Sequence, residues 1–128
     1  MQRQFQGVTN VEEAPSKFAF EKEDDFIQAV KTIIENNLEK STLNGAFIGK
    51  QLGMSRMQVH RKLKALTNQS AREFITEFRL QQGFILLNER KREVSEVAYR
   101  IGFNTPGYFS KLFKNRFGVT PSLIREKE

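Results

Sequence analysis

Residues 52–64 read LGMSRMQVHRKLK, and residues 101–114 read IGFNTPGYFSKLFK. Both stretches bring a short apolar helix to a glycine, turn within a few residues, present a hydroxyl side chain and enter a second helix. At an offset of 50 the second helices superpose: Ser55 on Thr105, Val59 on Phe109, Arg61 on Lys111, Leu63 on Phe113 and Lys64 on Lys114. The second turn is one residue longer. Each stretch therefore predicts a helix-turn-helix, and the chain carries the unit twice. In such a unit the second helix is the one that enters the major groove of DNA, with its first residues against the base edges.

The two second helices share a design. In the first, Ser55 is the predicted N-cap and Val59, Leu63 and Leu66 form the apolar stripe. The opposite face holds Met57, Arg61 and Lys64, flanked by His60 and Gln58. In the second, Thr105 is the N-cap and Pro106 suits the first helical position, where its missing N–H would be unsatisfied anyway. Phe109, Leu112, Phe113 and Phe117 form the stripe, and Gly118 ends it. Its outer face carries Gly107, Lys111, Lys114 and Asn115, with Tyr108 and Ser110 at the edges. A helix with one oily and one cationic side faces its own core and a polyanion.

Outward from the repeat, the remaining pattern is also helical. Phe26, Ala29, Val30, Ile33 and Ile34 recur at three- and four-residue steps, which predicts a helix from Asp24 to about Asn37–Lys40. A short helix runs from about Asn44 to Leu52, and Gly53 suits its left-handed stop. Ser70 caps a long helix reaching about Asn88. Its apolar residues, Phe74, Ile75, Phe78, Leu80 and Phe84 to Leu87, spread around most of the circumference, which predicts a buried element joining two lobes. Val94, Val97, Ala98 and Ile101 form a short amphipathic helix stopped by Gly102, and Thr120-Pro121 opens a last one. No alternating strand pattern is present, so the fold class is all-α. Residues 1–23 read as a leader or linker, with Phe5, Phe18 and Phe20 as candidates to dock on the body. Residues 24–127 form the body: a first lobe at 24–69, a central helix at 70–88 and a second lobe at 89–127.

Charge points the same way. The 128 residues carry a net +6, unevenly spread. Residues 1–40 hold 5 Lys and Arg against 8 Asp and Glu, and residues 41–128 hold 16 against 7. A basic body behind an acidic leader suits a polyanionic partner. There is no cysteine, which removes disulfides, thiolate metal sites and thiol nucleophiles. His60 is the single histidine, so no metal or other cofactor is expected. Glu12-Glu13 and Glu23-Asp24-Asp25 are the tight acidic clusters, and they fall in the leader and at a helix start. No HExxH, P-loop or GxSxG occurs, and no enzymatic activity is expected. No apolar run approaches the length of a membrane span, so no membrane contact is expected of this segment.

Spacing gives the repeat a mechanical meaning. About 18 residues of connecting helix span roughly 27 Å, and successive major grooves on one face of B-DNA recur every ~34 Å. A rigid bar of that size suits two recognition helices in adjacent grooves of one duplex, on a non-palindromic site.

The stretches GMSRMQVHRKLKALTNQSAREFI, FRLQQGFILL, VSEVAYRIGFNTPGYFSKLFKNRFGVTPS and the final IRE resemble the AraC-type DNA-binding domain of bacterial transcription factors. The resemblance covers roughly residues 24–126. It implies seven helices in two lobes, sequence-specific binding to double-stranded promoter DNA, and activation or repression of transcription. Contact with RNA polymerase, and dimerisation through domains absent here, belong to the same implication. The leader and the stretch EKEDDFIQAVKTIIENNLEKSTLNGAFIGKQLGMS further resemble output domains of hybrid two-component sensors of gut Bacteroidetes. That implies a cytoplasmic piece of a membrane-anchored protein. A stand-alone, effector-controlled regulator is the alternative, and a basic helical module for protein or RNA is a second one.

Departures from the family pattern are specific. Gly49 and Gly83 stand where alanines are usual, each costing up to ~1 kcal/mol of helix propensity unless it relieves a close crossing. Asn68 replaces a common glycine and tolerates a left-handed conformation. Pro106-Gly107 removes side chains that often reach bases. Arg61 is the expected base contact, with guanine favoured because Arg can bond O6 and N7 together. Met57 and His60 stand at family positions that point into the groove; Met57 serves equally as a thymine-methyl contact or as lobe packing. Lys111 and Lys114 are expected on phosphates, with a base contact from Lys111 as the alternative, and the hydroxyls of Ser55, Thr105 and Ser110 are expected on phosphates too. Tyr108 is expected chiefly to seal the lobe. Arg56, Lys62 and Arg79 are expected as charge support, or as solvated charges with no further role.

Overall fold

The computed structural model describes residues 23–126, and every regular element among them is an α-helix. The order is α1 (Glu23–Asn36), α2 (Gly45–Leu52), α3 (Arg56–Thr67), α4 (Ala71–Glu89), α5 (Val94–Arg100), α6 (Pro106–Phe117) and α7 (Pro121–Glu126). The expected leader, with its three phenylalanines, lies outside the described residues apart from Glu23. The chain forms two compact units. Within the described residues the first holds 23–36 and 43–74, and the second holds 37–42 and 75–126.

In the first unit α1 packs on α2 and α2 on α3. Phe26, Val30 and Ile34 of α1 are fully buried, as are Ile48, Val59 and Leu63, so the three- and four-residue steps of the sequence become one apolar core. Helix starts are tied by side chains. Asn44 Oδ1 accepts the Phe47 N–H at 2.8 Å and opens α2. Gly53 (φ 70°) and Asn68 (φ 61°) close α2 and α3 in the left-handed conformation. A Cβ at Gly49 would run into the Met54 carbonyl, so the glycine that looks costly in sequence is what lets the chain double back after α2. Lys62, expected as charge support, also packs within this unit. It is half-buried, with Nζ 5.4 Å from the centroid of the Phe26 ring.

The second unit is built around rings. Phe109 and Phe113 are fully buried beside Leu80, Leu87, Val97, Ala98, Ile101, Phe103 and Ile124, with Phe84 and Phe117 packed against them. Phe113 lies 5.5 Å from Phe109 and 4.7 Å from Phe117, centroid to centroid, in tilted or edge-on geometries that suit aromatic pairs. Gly83 sits against this cluster. A Cβ there would stand 2.9 Å from Ile101 Cδ1 and 3.1 Å from the Phe109 ring, so the helix approaches because the position is bare.

The expectation that the long helix is buried all round does not hold. Ile75, Leu80 and Leu87 of α4 are buried, but Phe74, Phe78, Phe84 and Leu86 are partly open and Ile85 is 52% exposed. Apolar residues on every side of a helix do not all find partners when the neighbouring helices are as short as α5 and α7. Arg79 is the other correction. It is not a solvated surface charge: its Nη2 donates to the carbonyls of Leu38 at 3.0 Å and Lys40 at 3.2 Å, and burial lowers its pKa.

Candidate nucleic-acid interface

α3 begins on a reciprocal cap. The Gln58 N–H donates to Ser55 Oγ at 3.0 Å, and Gln58 Oε1 accepts the Ser55 N–H at 2.7 Å. The pattern Ser-x-x-Gln carried this signal in the sequence, where Gln58 was read only as flanking the outer face. One turn on, Val59 and Leu63 are fully buried, which forces Met57, His60, Arg61 and Lys64 outward. Met57 is 60% exposed and so stands outside the buried core of this unit. Arg61 Nη2 donates to Met57 Sδ at 3.1 Å, one helical turn away on the open face.

α6 begins on a single bond, the Tyr108 N–H donating to Thr105 Oγ1 at 3.2 Å, with Pro106 in the first turn. Phe109 and Phe113 point inward. Thr105, Gly107, Lys111, Lys114 and Asn115 are exposed and Ser110 is half-buried. Neither Lys111 nor Lys114 forms an ion pair among the described residues. Tyr108 is 49% exposed while its ring meets the edge of Phe103 at 6.0 Å. It seals the lobe on one side and presents its other side outward. Nothing stands within 4 Å of where a Cβ would lie at Gly107, so this first turn is open and bare.

α6 is also tethered. Arg116 Nε lies 2.8 Å from Glu77 Oε1, and Nη2 2.8 Å from Oε2, a two-pronged bond to α4. The Arg116 bond holds the Glu77 carboxyl below its ordinary pKa, and the same bond raises that of Arg116. In the first unit a second reciprocal cap, Ser70 with Glu73, opens α4, and the Ser70 backbone N–H lowers the Glu73 pKa.

Sequence reasoning missed one feature of the first unit. An open cavity of about 410 Å³ is lined by Asn44, Arg56, Met57, His60, Ser70 and Arg72. Arg72 was not singled out, because nothing in its local sequence places it beside Arg56 and His60. The cavity continues the outer face of α3 into a cationic concavity. Among the described residues no cluster of His, Asp and Glu could hold a metal, and no helix is long and apolar enough to cross a membrane.

The exposed faces of both second helices are thus cationic, and each helix start carries a side-chain cap. A family model described as a helix-turn-helix domain matches residues 48–127. The chain belongs to the AraC-type helix-turn-helix family. Among curated relatives it is 37% identical over 95 residues to histidine kinase P4 of Formosa agariphila, covering 74% of this chain and 7% of that protein. It is 33% identical over 102 residues to the Msm operon regulatory protein of Streptococcus mutans, covering 80% of this chain and 36% of that one. The chain therefore spans well under half the length of these relatives. Among solved structures, a DNA-binding transcriptional dual regulator from Escherichia coli K-12 is 28% identical with a TM-score of 0.73, covering 80% of this chain and 90% of that chain. The all-α AraC-type fold expected from the sequence is the fold observed, with seven helices among the described residues.

Proposed function

We propose that this AraC-type domain binds double-stranded DNA sequence-specifically to regulate transcription, with α3 and α6 entering successive major grooves of one duplex. The observation that carries this reading is the duplicated build: each second helix fully buries the two central residues of its apolar stripe, Val59 and Leu63 in α3 and Phe109 and Phe113 in α6, and turns an exposed cationic face outward. In the groove α3 is the finer reader. Arg61 takes a base, guanine by preference, and Met57 and His60 flank it. Ser55 and Gln58 hold the start of the helix and keep donors for phosphate or base, one on the Ser55 hydroxyl and two on the Gln58 amide nitrogen. Arg56 and Arg72 border the cavity next to His60, where a sugar-phosphate strand would pass. On α6, Lys111, Lys114 and Asn115 contact the backbone, with Thr105, Tyr108 and Ser110 beside them, and Gly107 lets the duplex approach closely.

The likeness to a histidine kinase of which this chain spans only 7% supports one module of a two-component regulator, working in the cytoplasm whether or not the parent protein is anchored in a membrane. Contact with RNA polymerase would follow from binding at a promoter.

Selection of duplexes from a random library, followed by titration of the selected site, tests the reading. The affinity should fall with salt at a log–log slope near −0.9 per phosphate contacted. Arg61→Ala should relax discrimination at one base pair by about 1–3 kcal/mol, while Lys114→Ala weakens all sequences alike. Equal affinity for selected and random duplex, or tighter binding to RNA, would overturn it.

A further inference from the structure

The chain passes between its two units three times: at 36/37, at 42/43 and within α4 at 74/75. The segment 37–42 lies in sequence between α1 and α2, both of the first unit, yet belongs to the second. It is held there from two sides. The Leu38 side chain packs against the aromatic core of the second unit. Arg79, on α4, donates from Nε and Nη2 to the Leu38 carbonyl at 3.3 and 3.0 Å, and from Nη2 to the Lys40 carbonyl at 3.2 Å. Beneath lies Gly102, the turn glycine of the second helix-turn-helix, at φ 96°. A side chain there would strike the Leu38 carbonyl and stand 2.6 Å from Arg79 Nε, and an L-residue would be strained in that conformation besides.

We infer that Arg79 is a positioning residue for two-groove binding: it clasps the connector 37–42 onto the turn that carries α6. The inference rests on the two-helix reading proposed above. A single helical connection leaves two modules free to bend and twist about it. A second covalent tether, shortened by a clasp on one side, would limit that freedom. The second binding event on one duplex gains from the first in proportion to how well the spacing of the two modules is held, an effect that can reach 10²–10⁴-fold. Arginine suits the task because its planar fork serves two carbonyls at once and keeps its charge when half-buried.

The test uses the full chain and a duplex selected with it from a random library. Binding is measured to the selected duplex, to each half of it alone, and to the duplex with ~5 bp inserted between the halves, about half a helical turn. The wild-type chain should lose roughly tenfold or more on insertion. If it loses nothing, the two-groove reading fails whatever Arg79 does. Given that loss, Arg79→Ala should bind each half within about threefold of wild type, bind the whole duplex about tenfold more weakly, and suffer less than about threefold from the insertion. An insertion penalty as large as that of wild type, or an equal loss on halves and whole, would overturn the inference. A second variant leaves Arg79 and both acceptor carbonyls in place: two glycines inserted between Ser41 and Thr42, which slacken the connector beyond the clasp. It should lower the insertion penalty in the same way, and a wild-type penalty would overturn the inference. If both variants fail to fold, Arg79 serves stability alone and the inference is equally overturned.

Discussion

The two helix-turn-helix units are held together by different chemistry. The first is fastened at its helix starts: Asn44 caps α2, Ser55 and Gln58 cap α3 reciprocally, and Ser70 and Glu73 do the same for α4. The second has weaker caps, with no side-chain bond at Glu93 and a single one at Thr105, but it has the rings of Phe84, Phe103, Phe109, Phe113 and Phe117 in mutual contact. Their outward faces differ in step. α3 opens with Arg56, Met57 and Gln58, whereas α6 opens with Pro106, Gly107 and Tyr108. Duplication has kept the positions that bury and the positions that carry charge. It has let the first turn diverge, which is where a recognition helix meets base edges.

The largest effect should fall on the ring cluster. Leu63 and Phe113 occupy the same place in the repeat and are both fully buried. Phe113→Ala should destabilise the chain by about 3–5 kcal/mol and Leu63→Ala by about 2–5 kcal/mol, with the phenylalanine the costlier of the two. Urea unfolding followed by far-UV circular dichroism measures both. A Leu63→Ala loss greater than that of Phe113→Ala would show that the aromatic contacts add nothing to the second unit, and would break the contrast between the cores.

The caps should answer in the opposite order. Ser55→Ala leaves the Gln58 N–H without its acceptor and dissolves the reciprocal pair, at a cost of about 1–2 kcal/mol. Thr105→Ala loses one bond, and Pro106 still sets the backbone of the first turn, so its cost should stay below ~1 kcal/mol. The same unfolding measurement decides, and equal losses would mean that Gln58 adds nothing to the cap.

Much of this was legible in sequence, for a definite reason. Caps, stops and stripes are local signals. Ser55, Thr105, Gly53, Gly118 and the fully buried Val59 and Phe109 could be placed from a few neighbours each. What escaped depends on residues far apart. Arg79 meets Leu38 across 41 positions, and Arg116 meets Glu77 across 39, with no period to announce either. Gly49 and Gly83 looked like weaknesses because propensity counts only the helix they interrupt, not the carbonyl or the ring that needs the space. Ile85 misled in the other direction: an apolar residue on a helix predicts burial only where a neighbour exists to cover it. Arg72 joins Arg56 and His60 at the cavity through tertiary folding that no single stretch records.

The smallest effect sharpens the comparison most directly, because it isolates one position. Gly107 corresponds in the repeat to Met57, an exposed residue whose sulfur accepts from Arg61. At Gly107 the backbone φ is not positive and a Cβ would meet nothing within 4 Å, so alanine there suffers neither strain nor clash. It gains helix propensity and loses the unfolded-state freedom of glycine. Gly107→Ala should therefore stabilise the chain by up to ~1 kcal/mol, less if the first turn feels only part of the interior propensity. The reciprocal change, Met57→Gly, should lose a similar amount and release Arg61 from its sulfur contact. Thermal unfolding of the two variants beside wild type reads both signs. If Gly107→Ala destabilises the free protein, the first turn of α6 is not bare in the sense drawn here. The difference between the two recognition helices would then have to be sought in the cationic residues further along them.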